Sequence, residues 1–397
     1  MATKNEKKRV WVDSDDEVEE EKEDVSTIKR RKRFTKLHGS QESWTKVKES
    51  DDDDVGRVAS KYVSDKEFTV RRLPSPPSVK GKAKTTTLVF HPTRPNLYVA
   101  ADMSGGVRVL MTSSVLSSAS ISSLPVRSCE FEPVSSAKSV LLAGRRPFYY
   151  VYDLSSQKYT RHPSPLRASP KASLESFALS KQYIAFLGND GRISLCCART
   201  RRWIRDVRIN GSVRSVCFSP NGNDMLAVGS EGEVYRFDLR KTFQCVERHK
   251  DEGNLGGTLV RYTPNGTGYV VGSTSGVLNT YTLTDEDSTT SSSSSDDWTR
   301  RTDRTPTYSV MNLTTAIDHC ALSHSNKAGI GVIASGRERD ALRLFNISNG
   351  SVFSAWPTIN TPLGHVNSVG FDCTGKLLGI GNRQGKVLLY ELGGEMW

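Results

Sequence analysis

The chain has 397 residues, and its 55 lysines and arginines outnumber its 44 aspartates and glutamates, so its formal net charge is +11. It holds no run of about 18 apolar residues and no apolar segment near its N-terminus, which argues against a membrane-spanning helix and a secretory signal. The seven cysteines show no CxxC or metal-ligand spacing and are typical of buried, reduced thiols in a cytosolic or nuclear protein. We therefore expect no metal, no cofactor, no membrane partner and no small-molecule substrate.

Residues 1–66 carry blocks of like charge and few apolar side chains, which predicts a disordered charged tail. Its acidic blocks include Asp13–Glu17 and Asp51–Asp54. Between them lies a basic cluster of Lys29, Arg30, Arg31, Lys32 and Arg33. Basic runs of this kind direct proteins to the nucleus, so this cluster is our candidate nuclear-targeting signal. The alternative is a solvated charge run that balances the neighbouring acids.

A short strand is predicted at Phe68–Leu73, where apolar and polar residues alternate before Pro74 stops the pattern. Only five residues follow Leu392, too few to form the outer strand of the last repeat described below. We expect Phe68–Leu73 to supply that strand, which would close the ring and protect its edges.

From about residue 85 onward, one pattern of short strands recurs seven times with a period of about 40 residues. In the clearest copy, Val213–Leu239, two apolar strands and one alternating strand are separated by turns rich in glycine and asparagine. The first strand of each copy is anchored by an aromatic residue or leucine: Phe90, Phe131, Phe177, Phe218, Tyr262, Leu322 and Phe371. This period is typical of propeller blades, so we predict an all-β, seven-bladed WD40-like β-propeller over residues 67–397.

The second strands are mostly continuous apolar runs, as expected for strands packed on both faces. The turns that follow them often carry glycine, which supplies the positive φ of a tight hairpin. These turns contain Gly105-Gly106, Asp190-Gly191, Glu231-Gly232, Ser275-Gly276 and Gln384-Gly385. The Trp-Asp pair that names the WD40 class is replaced at the third-strand ends by pairs such as Phe237-Asp238.

Between the fifth and sixth repeats lies an acidic, serine-rich insertion at about residues 284–306, which includes Asp285–Asp297. A segment of this composition is not expected to pack into the ring. It is either a tolerated loop or a phosphorylation site, and the sequence favours neither.

The excess positive charge lies on the predicted ring, because the tail holds nearly balanced charges. Turns between second and third strands share one face of a propeller, and those of repeats six, seven and two carry arginines. We predict a polyanion-facing sector made of Arg145, Arg146, Arg337, Arg339 and Arg383, opposite Asp190 and Glu231. Arginine suits phosphate because its planar fork donates two hydrogen bonds at once. An acidic protein segment would fit the same sector, and a basic surface with no nucleic-acid role is also open.

Catalytic motifs are missing from the sequence: we find no nucleophile elbow, P-loop, GxGxxG or His/Glu metal cluster. His91 and His365 lie at the start of predicted blades, where a histidine usually forms hydrogen bonds within the blade. We therefore predict a binding platform and not an enzyme.

Several segments of the fourth to seventh repeats have distinctive amino-acid sequences. They are Ile209–Arg214, Gly229–Asp238, Asp251–Asn254, Gly272–Tyr281, Val310–Thr315, Leu342–Phe345, Ser351–Pro357 and Gly381–Lys386. In this order they resemble the small nucleolar RNA-associated protein 18 family, WD40 subunits of the UTP-B subcomplex of the nucleolar small-subunit processome. The resemblance covers roughly residues 68–392. It implies a non-catalytic scaffold in the nucleus and nucleolus that supports U-three snoRNP assembly on pre-rRNA and 18S rRNA maturation, with the other UTP-B subunits as partners.

A second likeness lies in the tail. Family members carry a short apolar and acidic motif that docks an exosome-linked RNA helicase, and Val10, Trp11, Val12 and Asp13 resemble it. The family motif usually starts with leucine and phenylalanine, whereas this one starts with valine and tryptophan. A single exposed indole can anchor a small interface, although a chance aromatic residue in the tail is the alternative.

Two other classes of function remain. WD40 rings also serve as substrate adaptors of ubiquitin ligases and as chromatin-binding platforms, and the basic ring disfavours both. An enzyme is the least favoured class. Association with pre-rRNA that weakens with salt would separate the leading hypothesis from these.

Overall fold

The computed structural model describes residues 62–63, 69–76, 84–166, 172–240, 242–283, 304–323, 329–358 and 361–393. The chain divides into a unit of residues 1–55 and a unit of residues 56–397. The first unit lies outside the described residues, and so do the predicted Val10–Asp13 motif, the Lys29–Arg33 cluster and residues 284–303 of the insertion. In the described residues no helix is long and apolar enough to cross a membrane.

The described residues form seven small sheets, each of which is one blade and antiparallel apart from one added edge strand. In chain order, blade one holds β3 (Thr85–Phe90), β4 (Leu97–Asp102), β5 (Gly106–Met111) and β6 (Ser114–Ser120), and blade two holds β7 (Val126–Phe131), β8 (Ser139–Gly144), β9 (Phe148–Asp153) and β10 (Lys158–Pro163). Blade three holds β11 (Phe177–Leu179), β12 (Tyr183–Leu187), β13 (Arg192–Cys197) and β14 (Trp203–Arg208), and blade four holds β15 (Val213–Phe218), β16 (Asp224–Gly229), β17 (Glu233–Asp238) and β18 (Gln244–Lys250). Blade five holds β19 (Gly257–Tyr262), β20 (Gly268–Ser273), β21 (Leu278–Thr282) and β22 (Tyr308–Val310), and blade six holds β23 (His319–Leu322), β24 (Ile330–Ala334), β25 (Leu342–Asn346) and β26 (Val352–Phe353). Blade seven holds β27 (Val366–Phe371), β28 (Leu377–Asn382) and β29 (Val387–Gly393), with β2 (Thr69–Arg72) at its edge, and β1 (Tyr62–Val63) joins blade six.

The blades form a closed ring, because each first strand packs beside the first strand of the next blade and β27 packs beside β3. Two hydrogen bonds cross the closure between blades seven and one. Asn367 Nδ2 donates to Thr85 O at 3.0 Å, and Asn96 N donates to Asp372 Oδ1 at 3.1 Å. The predicted all-β, seven-bladed propeller is confirmed.

The predicted clasp is also confirmed over Thr69–Arg72, which pairs antiparallel with β29, so that Val70 lies opposite Leu392. Leu73 N continues the ladder by donating to Leu389 O at 2.9 Å. Phe68 lies outside the described residues. The last blade therefore takes its outer strand from upstream of the first blade, which leaves β29 paired on both sides.

A second addition upstream of the ring was not predicted. Tyr62 and Val63 pair in parallel with Val352 and Phe353, adding a fifth strand to blade six. The fourth strand of that blade has only two residues, so it offers a short edge that this segment covers. The pairing is too short to have a sequence pattern.

The second strands form the buried layer of the blades. Every residue of β4, β8, β20 and β28 is buried, as the continuous apolar runs predicted. Burial of such side chains contributes roughly 1.5–3 kcal/mol for each large one, and this is the main force that holds neighbouring blades together.

The anchor of blade three was placed wrongly. Phe177 begins β11 and pairs with Phe186, whereas Leu179 occupies the last position of the strand, opposite Ile184. In the other blades the predicted anchor ends its strand. The strand is only three residues long, and Leu179 takes the anchor position at its end.

The glycine turns have the predicted conformation, with φ values of 87° at Gly105 and 72° at Gly191. The carbonyl of each glycine accepts a hydrogen bond at 2.9 Å from the residue after its blade's fourth strand, Ile121 or Ile209. A Cβ at either glycine would collide with the carbonyl oxygen of that isoleucine. Glycine is therefore required both by the backbone angle and by the close approach of the fourth strand.

Candidate nucleic-acid interface

The two faces of the ring carry different turns, because successive strands of a blade run in opposite directions. One face, which we call the entry face, carries the turns between second and third strands, such as residues 145–147. The other face, which we call the hairpin face, carries the turns between third and fourth strands, such as residues 198–202. The turns between first and second strands also lie on the hairpin face.

The predicted polyanion-facing arginines all lie on the entry face and all are exposed. They are Arg145, Arg146, Arg337, Arg339 and Arg383. They come from blades two, six and seven, which with blade one are consecutive in the ring. The structure therefore places them in one sector, with Asp190 and Glu231 on the same face at blades three and four.

The side chain of Arg145 is paired with a carboxylate. Its Nε lies 2.8 Å from Glu175 Oε2, and the same carboxylate lies 3.9 Å from Nε of Arg127. The hydrogen bond to Glu175 raises the pKa of Arg145. Sequence reasoning missed Glu175 because it lies 30 positions from Arg145 and belongs to the next blade. This carboxylate offsets part of the positive charge of the sector.

In blade six the acids beside the arginines are exposed but partly engaged. Asp340 Oδ1 accepts hydrogen bonds from Leu363 N at 2.6 Å and from Gly364 N at 2.7 Å. Asp340 thus holds the connection to blade seven, while its charge and that of Glu338 remain beside Arg337 and Arg339. The net positive charge of this sector is smaller than the count of arginines suggests.

A channel of about 510 Å³ runs between the first strands of the blades. Near the entry face, five of these strands shift register by one residue, at Thr86, Arg127, Arg214, Thr258 and Asn367. Such bulges re-aim side chains, and three of these residues bond to the next blade. Thr86 Oγ1 donates to Val126 O at 2.8 Å, Thr258 Oγ1 to Ile317 O at 2.6 Å, and Asn367 Nδ2 to Thr85 O at 3.0 Å. The bulges therefore tie the blades together at the channel mouth.

Charges inside the channel are mixed. Burial raises the pKa of Glu130 to about 7 although Arg261 opposes the shift, and burial lowers the pKa of His319 to about 4. Near neutral pH, His319 is uncharged and Glu130 is only partly ionised. The channel does not have the uniform positive charge that a bound polyanion would require.

The two histidines predicted at blade entries differ. His365 directly precedes β27, as predicted, whereas His91 follows β3 and lies in the turn between the first and second strands of blade one, so its predicted position was wrong. Nδ1 of His91 accepts hydrogen bonds from Thr93 N at 3.1 Å and from Arg94 N at 3.0 Å, as predicted. Nδ1 of His365 is buried and has no hydrogen-bond partner in the described part of the chain, so the prediction is not confirmed there. Over the same residues no group of three or more His, Cys, Asp or Glu side chains could hold a metal ion.

No family model matches the chain. Among known proteins, it is 34% identical over 270 residues to the U3 small nucleolar RNA-associated protein 18 homolog of Arabidopsis thaliana, covering 68% of this chain and 46% of that protein. It is 29% identical over 354 residues to U3 small nucleolar RNA-associated protein 18 of Saccharomyces cerevisiae, covering 77% of this chain and 57% of that protein. The Caenorhabditis elegans homolog is 24% identical over 380 residues, which cover 90% and 84% of the two chains.

The chain is related to the small nucleolar RNA-associated protein 18 family. The resemblance found in blades four to seven is thereby confirmed. The chain spans about half the length of the first relatives that it matches, 46% for the plant protein and 57% for the budding-yeast protein.

Proposed function

We propose that this protein is a non-catalytic scaffold in small-subunit rRNA processing, located in the nucleus and nucleolus and associated with the U-three snoRNP. The observation that carries this proposal is the likeness to proteins named U3 small nucleolar RNA-associated protein 18 from plants, fungi and animals. A closed ring supports a scaffold role, because its two faces present many turns from a rigid frame.

The finer proposals concern partners and the tail. The ring, residues 67–397, would bind other UTP-B subunits and contact pre-rRNA directly or through them. The tail, residues 1–66, would carry nuclear targeting through Lys29–Arg33 and helicase docking through Val10–Asp13. For the insertion at about 284–306 there are two hypotheses: it is a phosphorylation site, or it is a tolerated loop.

The test of the main proposal is affinity purification of the full chain from nuclear extract, followed by RNA sequencing and mass spectrometry. We expect enrichment of U3 snoRNA, 18S precursors and UTP-B subunits, and a loss of the RNA as salt rises. Recovery of ubiquitin-ligase subunits or histones without these RNAs would instead support the adaptor or chromatin platform.

The helicase proposal has a separate test. Trp11→Ala together with Asp13→Ala should abolish recovery of an exosome-linked RNA helicase, because one buried indole would anchor a small interface. UTP-B subunits should still be recovered, since they would bind the ring. Undiminished recovery of the helicase would remove this motif from consideration.

A further inference from the structure

Blade three carries a dense group of positive charge, most of it on the hairpin face. Residues 181–208 contain seven lysines and arginines but only two aspartates. Lys181, Arg199, Arg202 and Arg205 of this stretch are exposed, and we call these four residues the arginine ridge. The sequence prediction overlooked it because it considered only the turns on the entry face.

A tight hairpin fixes the ridge. The turn between β13 and β14 closes with Arg201 N donating to Cys197 O at 2.9 Å and Cys197 N donating to Arg202 O at 2.8 Å, and Arg201 has a φ of 59°. Ala198 N also donates to Gln182 O at 2.9 Å. That bond holds the turn carrying Lys181 beside the turn carrying Arg199 and Arg202, so these cations form one surface on ordered backbone.

Neighbouring blades extend and order this surface. Arg205 Nη1 donates to Thr242 O of blade four at 2.6 Å. Tyr183 of blade three and Phe243 of blade four meet edge to face, with ring centroids 5.5 Å apart. Arg240, which is exposed and pairs with Asp238, lies in the same blade-four turn as Thr242. The ridge therefore continues from blade three onto blade four.

The nearby acids are already engaged. Arg201 turns back to bond Glu132 of blade two. Asp206 Oδ1 accepts from Ser194 Oγ at 2.7 Å and from Trp203 Nε1 at 2.8 Å, and its Oδ2 lies 3.5 Å from Arg192. No acidic partner of Lys181, Arg199, Arg202 or Arg205 is found among the described residues. Within the described part of the chain, no carboxylate neutralises the charge of these four side chains.

We propose that the arginine ridge binds the phosphate backbone of RNA, an inference that rests on the proposed role in rRNA processing and adds a contact surface to it. Lys181, Arg199 and Arg202 lie on two adjoining turns of the hairpin face, and Arg205 follows at the start of the outer strand, next to blade four. Such a group of fixed cations matches a polyanion, and arginine donates two hydrogen bonds to a phosphate. The rigid hairpin also removes much of the ordering cost of binding.

The test measures binding of a labelled, mixed-sequence single-stranded RNA oligonucleotide to the purified full chain at several salt concentrations. The ridge variant combines Arg199→Gln, Arg202→Gln and Arg205→Gln. We expect its affinity to fall by roughly tenfold or more and its log–log salt slope to decrease by about 2, since each lost phosphate contact removes about 0.7. The variant should melt within about 2 °C of the wild type, because the three side chains are exposed and the only bond between blades that is lost is that of Arg205 to Thr242 O.

The matched control removes three positive charges elsewhere, with Arg71→Gln, Arg94→Gln and Lys376→Gln in blades one and seven, all exposed. It should bind RNA nearly as the wild type does. Equal losses in both variants would show a response to net charge alone, and unchanged binding by the ridge variant would also overturn the proposal. If the ridge variant kept RNA binding but lost binding to a polyglutamate peptide, the ridge would serve an acidic protein instead.

The outcome is separable from that of the proposed function. Loss of oligonucleotide binding by the ridge variant, with no U3 snoRNA recovered from extract by the wild type, would support the ridge and refute the role in rRNA processing. If the wild type recovers U3 snoRNA and the ridge variant binds the oligonucleotide fully, the role in rRNA processing is supported and the RNA contact at the ridge is refuted.

Discussion

At the scale of single residues, Glu130 gives the ring a pH dependence. Its carboxyl lines the channel, and burial raises its pKa to about 7, well above the usual value near 4.3. Because the folded pKa is the higher one, the folded state binds the proton more tightly than the unfolded state does. Protonation of Glu130 therefore stabilises the folded ring relative to a ring with ionised Glu130. This stabilisation is fully present below about pH 4.3 and is lost as the pH rises through about 7.

We therefore expect Glu130→Gln to raise the melting temperature at about pH 8 by roughly 1–2 °C, since glutamine needs no charge in the channel. Toward about pH 5 the advantage over the wild type should shrink, because the wild-type carboxyl is then largely protonated. Melting curves by circular dichroism across this range would measure it. A gap that does not change with pH would show that Glu130 is not the titrating group.

The entry-face arginines provide a second prediction at this scale. Replacing Arg145, Arg146, Arg337 and Arg383 with glutamate should weaken pre-rRNA recovery without unfolding the ring, because all four side chains are exposed. Quantitative PCR of 18S precursors after purification would measure the loss.

The control for the entry face is Asp190→Lys with Glu231→Lys, at blades three and four of the same face. It should change recovery little. If the control variant lost more RNA than the arginine variant, the sector would be wrongly placed. The substitution Arg145→Glu places a second carboxylate beside Glu175. It should therefore reduce pre-rRNA recovery more than Arg146→Glu does.

At the scale of strands, the clasp is the element whose loss should matter most. Deleting residues 1–60 leaves β2 in place and should not change the melting temperature of the ring. Deleting residues 1–78 removes β1 and β2, unpairs one edge of β29, and should lower the melting temperature by roughly 5 °C or more. Differential scanning calorimetry would compare the two. Equal melting of both truncated chains would mean that β2 contributes nothing to stability.

A deletion of residues 1–67 separates the two added strands. It removes β1, which makes two residue pairs with β26, but keeps β2, which makes four pairs with β29. We expect this deletion to cost less than the deletion of residues 1–78.

The strands of the ring were largely predictable from sequence, and their partners across blades were not. Second and third strands were recognisable as apolar or alternating runs between glycine turns, and the repeat Val213–Leu239 contains the three predicted strands as β15, β16 and β17. The clasp followed from a count of the residues left after Leu392. In contrast, β1 and β26 are two residues long, too short for any periodic pattern.

The candidate surfaces were harder to predict for a related reason. Arginines can be counted along a chain, but the acid that neutralises one of them comes from another blade, as Glu175 does for Arg145. The three arginines of the ridge stand in a dense basic run at residues 199–208 that the sequence shows, whereas Lys181 lies outside that run. The significance of the ridge depends on Arg201 and Arg192 being paired while Arg199 and Arg202 are not, which only the folded ring shows.

At the scale of the whole molecule, nuclear entry is proposed to depend on the tail and binding on the ring. Replacing Lys29, Arg30, Arg31, Lys32 and Arg33 with alanine should leave a fluorescent fusion largely cytoplasmic, because the chain would lose its importin-binding charges. Confocal microscopy would measure the nuclear fraction. The comparison variant replaces the acids Asp51–Asp54 with alanine and should remain nuclear. Unchanged nuclear accumulation of the basic-cluster variant, in cells that lack its partners, would refute the assignment.

The clasp also sets an order of events during synthesis. Strand β2 leaves the ribosome early, and its partner β29 follows more than 300 residues later. At about 5–20 residues per second, β2 waits unpaired for tens of seconds while an open arc of blades grows behind it. Closure is a non-local pairing, which is intrinsically slow. A nascent chain that stops before β29 cannot complete the ring, so closure of the clasp reports that translation has passed the last blade.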